Sequence, residues 1–331
     1  MQKVAEQAIL YTEENIMKKF LFAILLVLAL AIVTYGLALA DNGPHGGFGP
    51  VTDACAGCHR AHTGQAAYLL LSTGTALCES CHGASGTGAD TNVWNGIYVE
   101  RDGVTETPAE GVAGRGLKGG GFAFALMDTN LDGSAPSSAV TSKHNYDGSS
   151  GTIWGNGALN TGAGPSLALS CTNCHNPHGR AGAGGTATFR ILRRIPSGSN
   201  APAADAVDVA DETDKLYTIA DPNGMYFDEP YGTRSVPMAN WCSQCHTRYW
   251  SPSGSATTSS GDAIFNYRHA TNASDTSCMS CHVAHGTSAS MGVNSGAVAW
   301  PNGDPTPSGN ARSSLLREDN RGVCYECHPA P

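Results

Sequence analysis

One pentapeptide, Cys-x-x-Cys-His, occurs six times in this chain and constrains its fold more than any other feature. The copies are Cys55-Ala-Gly-Cys58-His59, Cys78-Glu-Ser-Cys81-His82, Cys171-Thr-Asn-Cys174-His175, Cys242-Ser-Gln-Cys245-His246, Cys278-Met-Ser-Cys281-His282 and Cys324-Tyr-Glu-Cys327-His328. All 12 cysteines of the chain lie within them. The spacing is that of covalent c-type haem attachment. Two thiols add across the two vinyl groups of one porphyrin, and the histidine that follows is held beneath the iron as its proximal ligand. The expected cofactors are therefore six covalently bound haem c groups, each with its Fe.

Paired cysteines have other uses. A single copy can be half a zinc site or a thioredoxin-like redox pair, and an even cysteine count in an exported chain can be a set of disulfides. None of these requires a histidine directly after the second cysteine. Histidine is only 12 of 331 residues, so chance does not supply six such coincidences.

Six histidines, His59, His82, His175, His246, His282 and His328, are proximal ligands on this reading. The other six are His45, His62, His144, His178, His269 and His285. Six irons and six further imidazoles predict bis-histidine ligation throughout, and hence low-potential haems, because an axial methionine raises the potential. The alternative leaves one or two of these histidines on the surface or behind a ligand, with methionine or water on the iron. Met127, Met225, Met238 and Met291 lie outside the motifs, and nothing prefers any of them to a histidine.

Three motifs extend to Cys-x-x-Cys-His-x-x-His, which adds His62, His178 and His285. On a one-turn helix, residues three apart share a face. The second imidazole cannot pass its own porphyrin to reach the far side of that iron, so it is expected to serve a different haem and to hold the two macrocycles close.

The N-terminus reads as a secretory signal. Met17-Lys18-Lys19-Phe20 is a basic start, Leu21 to Val33 is an apolar run, and Ala38-Leu39-Ala40 precedes a cleavage point before Asp41. Residues 1–16 are read as an over-extended start, 17–40 as the signal peptide, and 41–331 as one hexahaem cytochrome domain. The alternative for 17–40 is an uncleaved anchor, but the run is short for a membrane span. No integral membrane span is expected after cleavage. Export agrees with haem c, which is attached outside the cytoplasm.

Net charge is −9, and losing residues 1–40 removes as many lysines as glutamates. An acidic chain disfavours nucleic acid, whose phosphates need a basic face. Glycine is abundant, at 41 of 331 residues, and aromatics make up only 7%. Helical and alternating strand periodicities are scarce. The expected fold is mostly irregular and loop-rich, with short helices at the motifs and few short strands, wrapped around a chain of six haems. Porphyrin supplies the apolar mass that leucine and phenylalanine usually supply, so the haem-free chain is expected not to fold.

Residues 84–170 form a glycine-rich stretch without a motif. It is expected to carry His144 to an iron. Trp94, Phe122, Phe124, Leu126 and Trp154 favour packing there over a disordered linker. Asp128-Thr-Asn130-Leu-Asp132-Gly133 imitates the start of a calcium loop, but Ala139 stands where the glutamate is needed, so it reads as a turn. Gly119-Gly120-Gly121 lacks the Gly-Lys-Ser/Thr of a phosphate loop. Phe189-Arg190-Ile191-Leu192 reads as a short strand, and Asp221-Pro222-Asn223-Gly224 as a turn.

With these motifs the chain resembles the multihaem c-type cytochromes with doubled Cys-x-x-Cys-His-x-x-His motifs, and among them the hexahaem OmcS-type cytochromes that polymerise into extracellular nanowires. The carrying residues are the Cys55–His62 cluster, Cys171–Gly179 followed by Phe189–Leu192, Trp241-Cys242–Thr247, Arg268-His269, Cys278–Gly286 and the late sixth motif. The resemblance implies a filament of repeating subunits whose haems alternate between parallel-stacked and T-shaped pairs. It also implies that one distal ligand comes from the adjacent subunit, at the position of His62. The residues alone equally allow His62 to ligate a haem of its own chain.

Three functions are distinguished. Closed six-coordinate irons suit electron transfer without bond chemistry, as an extracellular or cell-surface filament. Its partners would be itself, electron donor and acceptor proteins, and minerals, electrodes or partner cells. A soluble monomeric periplasmic electron shuttle is the second reading. A multihaem oxyanion reductase is the third, but it calls for an open iron, often marked by Cys-x-x-Cys-Lys, and that motif does not occur. The protein is therefore not expected to be an enzyme.

Overall fold

A computed structural model describes residues 18–19, 45, 53–85, 89, 91–98, 116–126, 137–157, 164–179, 191–209, 235–250, 255–259, 267–268, 278–290, 315–319 and 322–325. The chain divides into two units, residues 1–55 and 56–331. In the first, His45 is half-buried in a single 3-10 residue, and a 3-10 turn begins at Asp53. The signal-like segment after Lys19, the calcium-like stretch 128–133 and the turn at 221–224 lie outside the described residues. Among the described residues no helix is long and apolar enough to cross a membrane.

The helices are short and coincide with the motifs. They are α1 (Gly74–His82), α2 (Cys171–Cys174), α3 (Ser235–Cys242), α4 (Cys278–Cys281) and α5 (Gly322–Tyr325). The α2 turn starts on a side-chain bond, the amide of Ser170 donating to Asn173 Oδ1 at 2.8 Å, which is half of a capping box. It stops at Cys174. His175 is already extended, at φ −105° and ψ 148°. The expected one-turn helix carrying both His175 and His178 is therefore not formed. Asn176 precedes Pro177, which disfavours helical backbone at that point, and the chain at His175 joins a β-bridge instead.

That bridge recurs at each doubled motif. His59 pairs with Leu70, His175 with Leu192 and His282 with Leu316, all antiparallel. The amides flanking each histidine complete the clasp. Arg60 N donates to Leu69 O at 2.8 Å and Leu71 N to Cys58 O at 3.0 Å. Asn176 N donates to Ile191 O and Arg193 N to Cys174 O, both at 2.8 Å. Val283 N donates to Leu315 O at 2.9 Å and Arg317 N to Cys281 O at 3.0 Å. The predicted strand ending at Leu192 is thus this single bridge; residues 189–190 lie outside the described residues.

The strands pair as two-stranded antiparallel ladders: β1 (Thr91–Asn92) with β2 (Ile97–Tyr98), β3 (Phe124–Leu126) with β4 (Ser137–Ala139), and β6 (Asp147–Thr152) with β7 (Ser166–Ser170). A fourth pairs β8 (Ser255–Ser259) with β9 (Tyr267–Arg268). Between β1 and β2, Asn92 Oδ1 accepts from the amides of Trp94 and Asn95, an Asx turn closed by Gly96 at φ +64°. The remaining ladder is long-range. β5 (Ser142–Lys143) pairs with β10 (Gly286–Thr287), placing Lys143 opposite Gly286.

The described core is built partly from the motifs themselves. Leu192, Val209, Met238 and Met279 cluster, with Cys174, Trp241 and Cys242 packed against them. Burying such a side chain stabilises by about 1.5–3 kcal/mol. This cluster joins the third, fourth and fifth motifs. Phe122 is buried as expected, whereas Phe124 is 40% exposed because β3 presents it to solvent.

Candidate haem-binding sites

Each described motif offers its cysteines from a turn of helix. Cys78 and Cys81 lie on α1, Cys171 and Cys174 on α2, Cys278 and Cys281 on α4. Cys242 ends α3, and Cys245 and His246 lie in the turn that follows. Cys55 lies in the 3-10 turn Asp53–Gly57. Cys324 lies on α5, while Cys327, His328 and His269 are outside the described residues. Among the described residues no three potential ligands converge as a bare metal ion would need, and no disulfide links these cysteines.

The imidazoles meet in pairs drawn from distant parts of the chain. The ring centroids of His59 and His178 are 6.1 Å apart, with planes 12° apart. Those of His144 and His246 are 6.2 Å apart at 47°, and those of His175 and His285 are 6.4 Å apart at 56°. An imidazole bound to a metal at about 2 Å puts its centroid roughly 3 Å from the metal, so two on opposite sides stand roughly 6 Å apart. All three pairs have the separation of axial ligands sharing one iron. Each joins a motif histidine to one of the further imidazoles, and in this respect the residues present fit haem c.

The other ring nitrogen is held in a repeated way. His59 Nδ1 is 2.8 Å from the Tyr68 carbonyl oxygen, His144 Nδ1 is 2.6 Å from that of Ala284, and His246 Nδ1 is 2.6 Å from that of Trp154. His82 Nδ1 reaches the carbonyl of Thr91 at 3.1 Å and its hydroxyl at 3.0 Å, and His285 Nδ1 lies 3.4 Å from the Gly120 carbonyl. A proton on Nδ1 donated to a carbonyl fixes the tautomer that leaves Nε2 to ligate, and it raises ligand basicity.

His144, His246 and His285 are half-buried. Burial pushes His246 and His285 down to about 4, with a neighbouring imidazole adding to the effect, His144 for the first and His175 for the second. Burial also lowers His144, against its bond to Ala284. The neutral ring that results is the form that binds a metal.

Thiols of successive motifs meet as well. The S–H of Cys78 donates to Cys171; that bond, with burial, raises the Cys78 thiol, and the same bond lowers Cys171 against the effect of burial. Cys242 donates to Cys278 with the same consequences. Burial, with Cys245 nearby, pushes Cys174 up to about 12. The second motif thus abuts the third, and the fourth abuts the fifth. A pocket lined by Cys78, His82, Trp94, Phe122, Tyr146 and Cys171 lies where the second and third motifs meet. Phe122 stacks on Tyr146 at 4.1 Å and stands 4.8 Å from the His285 ring.

His62 is exposed. Met238 is a core residue, buried with Leu192, Val209 and Met279. Sequence reasoning missed the clasp leucines Leu70, Leu192 and Leu316 and the carbonyls that hold Nδ1. A signal for the clasp was present, because Leu69-Leu70-Leu71, Ile191-Leu192-Arg193 and Leu315-Leu316-Arg317 each follow one doubled motif.

Residues 49–87 match the family described as the doubled CXXCH motif. This match supports a multihaem c-type cytochrome carrying covalently bound haem c. No curated protein and no solved structure showed significant similarity to the chain.

Proposed function

We propose that this protein transfers electrons through six bis-histidine haem c groups and is the secreted subunit of an extracellular filament. The observation that carries this reading is the direction of the imidazole pairs. His178, which belongs to the third motif, faces His59 of the first, and His285, which belongs to the fifth, faces His175 of the third. The third and fifth motifs thus each hand their second imidazole back to the preceding doubled motif. One further step in that direction carries His62 toward a doubled motif of another copy, and its exposure accords with that role.

Haem c, once bound, supplies one-electron redox chemistry. The chain contributes position. Facing imidazoles would hold an iron between them and leave it no open position, which favours electron transfer over turnover of a small molecule. The Cys78–Cys171 and Cys242–Cys278 contacts draw successive sites together, and the His144–His285 ladder draws the third and fourth sites together. Short spacing between sites favours passage of electrons along the chain.

Negative-stain microscopy of the native secreted protein, with size exclusion, tests the filament. Filaments are expected, shortened or abolished by His62→Ala. A monodisperse monomer that keeps all its haems would favour the soluble periplasmic shuttle, with His62 serving its own chain. Carbon monoxide binding to the untreated reduced protein would favour an oxyanion reductase.

A further inference from the structure

Among the described residues, five non-glycine residues have positive φ, and three of them occupy one position: Leu69 (60°), Ile191 (53°) and Leu315 (64°) each precede the leucine that bridges a motif histidine. A left-handed backbone costs a non-glycine residue about 1–3 kcal/mol, and it persists only where the surroundings enforce it. For a β-branched residue such as Ile191 it is an outlier. The connecting stretches 60–69, 176–191 and 283–315 differ in length, so the shared conformation is not a by-product of loop closure. The second and fourth motifs lack it: among the described residues neither His82 nor His246 makes such a bridge.

At the first motif the purpose of the strained turn is visible. Tyr68, also left-handed at φ 61°, turns its carbonyl to His59 Nδ1 at 2.8 Å, and Leu69 turns its own to the amide of Arg60 at 2.8 Å. Side-chain packing does not explain the conformation, because Tyr68 is 84% and Leu69 53% exposed.

We propose that Leu69, Ile191 and Leu315 are positioning residues that hold the proximal imidazoles of the first, third and fifth motifs through a strained backbone clasp. Haem sites then fall into two classes that alternate along the sequence, clasped at odd motifs and unclasped at the second and fourth. The proposal rests on reading His59, His175 and His282 as haem ligands. Haem count and low-spin signature in the unaltered protein test that reading separately.

The test is a pair of substitutions in the haem-loaded protein, Leu69→Gly and Leu69→Pro. Both remove the same half-exposed side chain. Glycine adopts positive φ freely, whereas proline locks φ near −65°. Potentiometric titration followed by electron paramagnetic resonance reads the outcome. Leu69→Gly is expected to leave all centres as they were. Leu69→Pro is expected to keep the haem count and to move one centre alone, to higher potential and with altered low-spin g values, because a weaker Nδ1 bond makes a weaker donor. Two variants that behave alike would overturn the proposal. Should Leu69→Pro fail to mature, amide exchange in the unaltered protein decides: protection at Arg60 and Leu71 is expected, and exchange at the rate of an open loop would overturn it.

Discussion

The amide of His144 donates to the carbonyl of His285 at 3.0 Å, so two imidazoles that face different motifs hang from adjacent strands of one ladder. His144 faces His246 and His285 faces His175. A disturbance of this short ladder therefore reaches two candidate haem sites at once. The strands are far apart in sequence, so the ladder also ties the long motif-free stretch to the fifth motif.

Gly120 flanks the ladder, bridging Gly286 of β10. It sits at φ +69°, and a Cβ there would overlap the Gly286 carbonyl oxygen. Gly120→Ala is expected to destabilise by at least about 1–3 kcal/mol. It is also expected to disturb the low-spin signals of two centres together, read by electron paramagnetic resonance alongside thermal unfolding. Disturbance of a single centre would separate the two sites.

His178→Ala is expected to open the iron of the first motif, not that of the third. Carbon monoxide would then bind one haem of the reduced variant. Adding Cys55→Ala and Cys58→Ala, which remove the first haem, should abolish that binding, whereas Cys171→Ala with Cys174→Ala should preserve it. The reverse pattern would reassign His178. Non-additivity of this kind is what neighbouring groups show in a mutant cycle.

The ligand-plane angles predict spectral diversity. Planes 12° apart at His59–His178 lift the degeneracy of the iron d orbitals that accept from the rings, while planes 47° and 56° apart leave them closer in energy. Low-temperature electron paramagnetic resonance is expected to show at least two low-spin classes, the rhombic one lost in His178→Ala. A single class would contradict the angles.

Folding is expected to depend on haem. The described core draws on Cys174, Trp241 and Cys242, and the thiols of neighbouring motifs occupy one another's surroundings. Chain produced without haem attachment is expected to give no cooperative thermal transition by near-ultraviolet circular dichroism. A sharp transition would show a polypeptide core sufficient by itself.

What the sequence made legible was chemistry carried by local spacing. Cysteines and a histidine at fixed intervals specify haem attachment whatever the fold around them, and a second histidine three residues on pointed away from its own motif. The backbone around those groups was less legible. Helical spacing at Cys171–His178 suggested one continuous turn, but Pro177 and the bridge to Leu192 end it at Cys174. The clasp partners Leu70, Leu192 and Leu316 lie at unequal distances along the chain, so no fixed period announces them. His144 was expected to reach an iron, but its pairing with His246 depends on a ladder between distant strands. Phe124 looked like a core residue by type, yet its place on β3 exposes it.

The claim on which the rest depends is that every Cys-x-x-Cys-His copy carries a covalent haem. Intact-mass spectrometry of the purified protein tests it most directly. The predicted mass is that of the polypeptide plus six haem groups, one for each motif. A mass corresponding to fewer than six would contradict it.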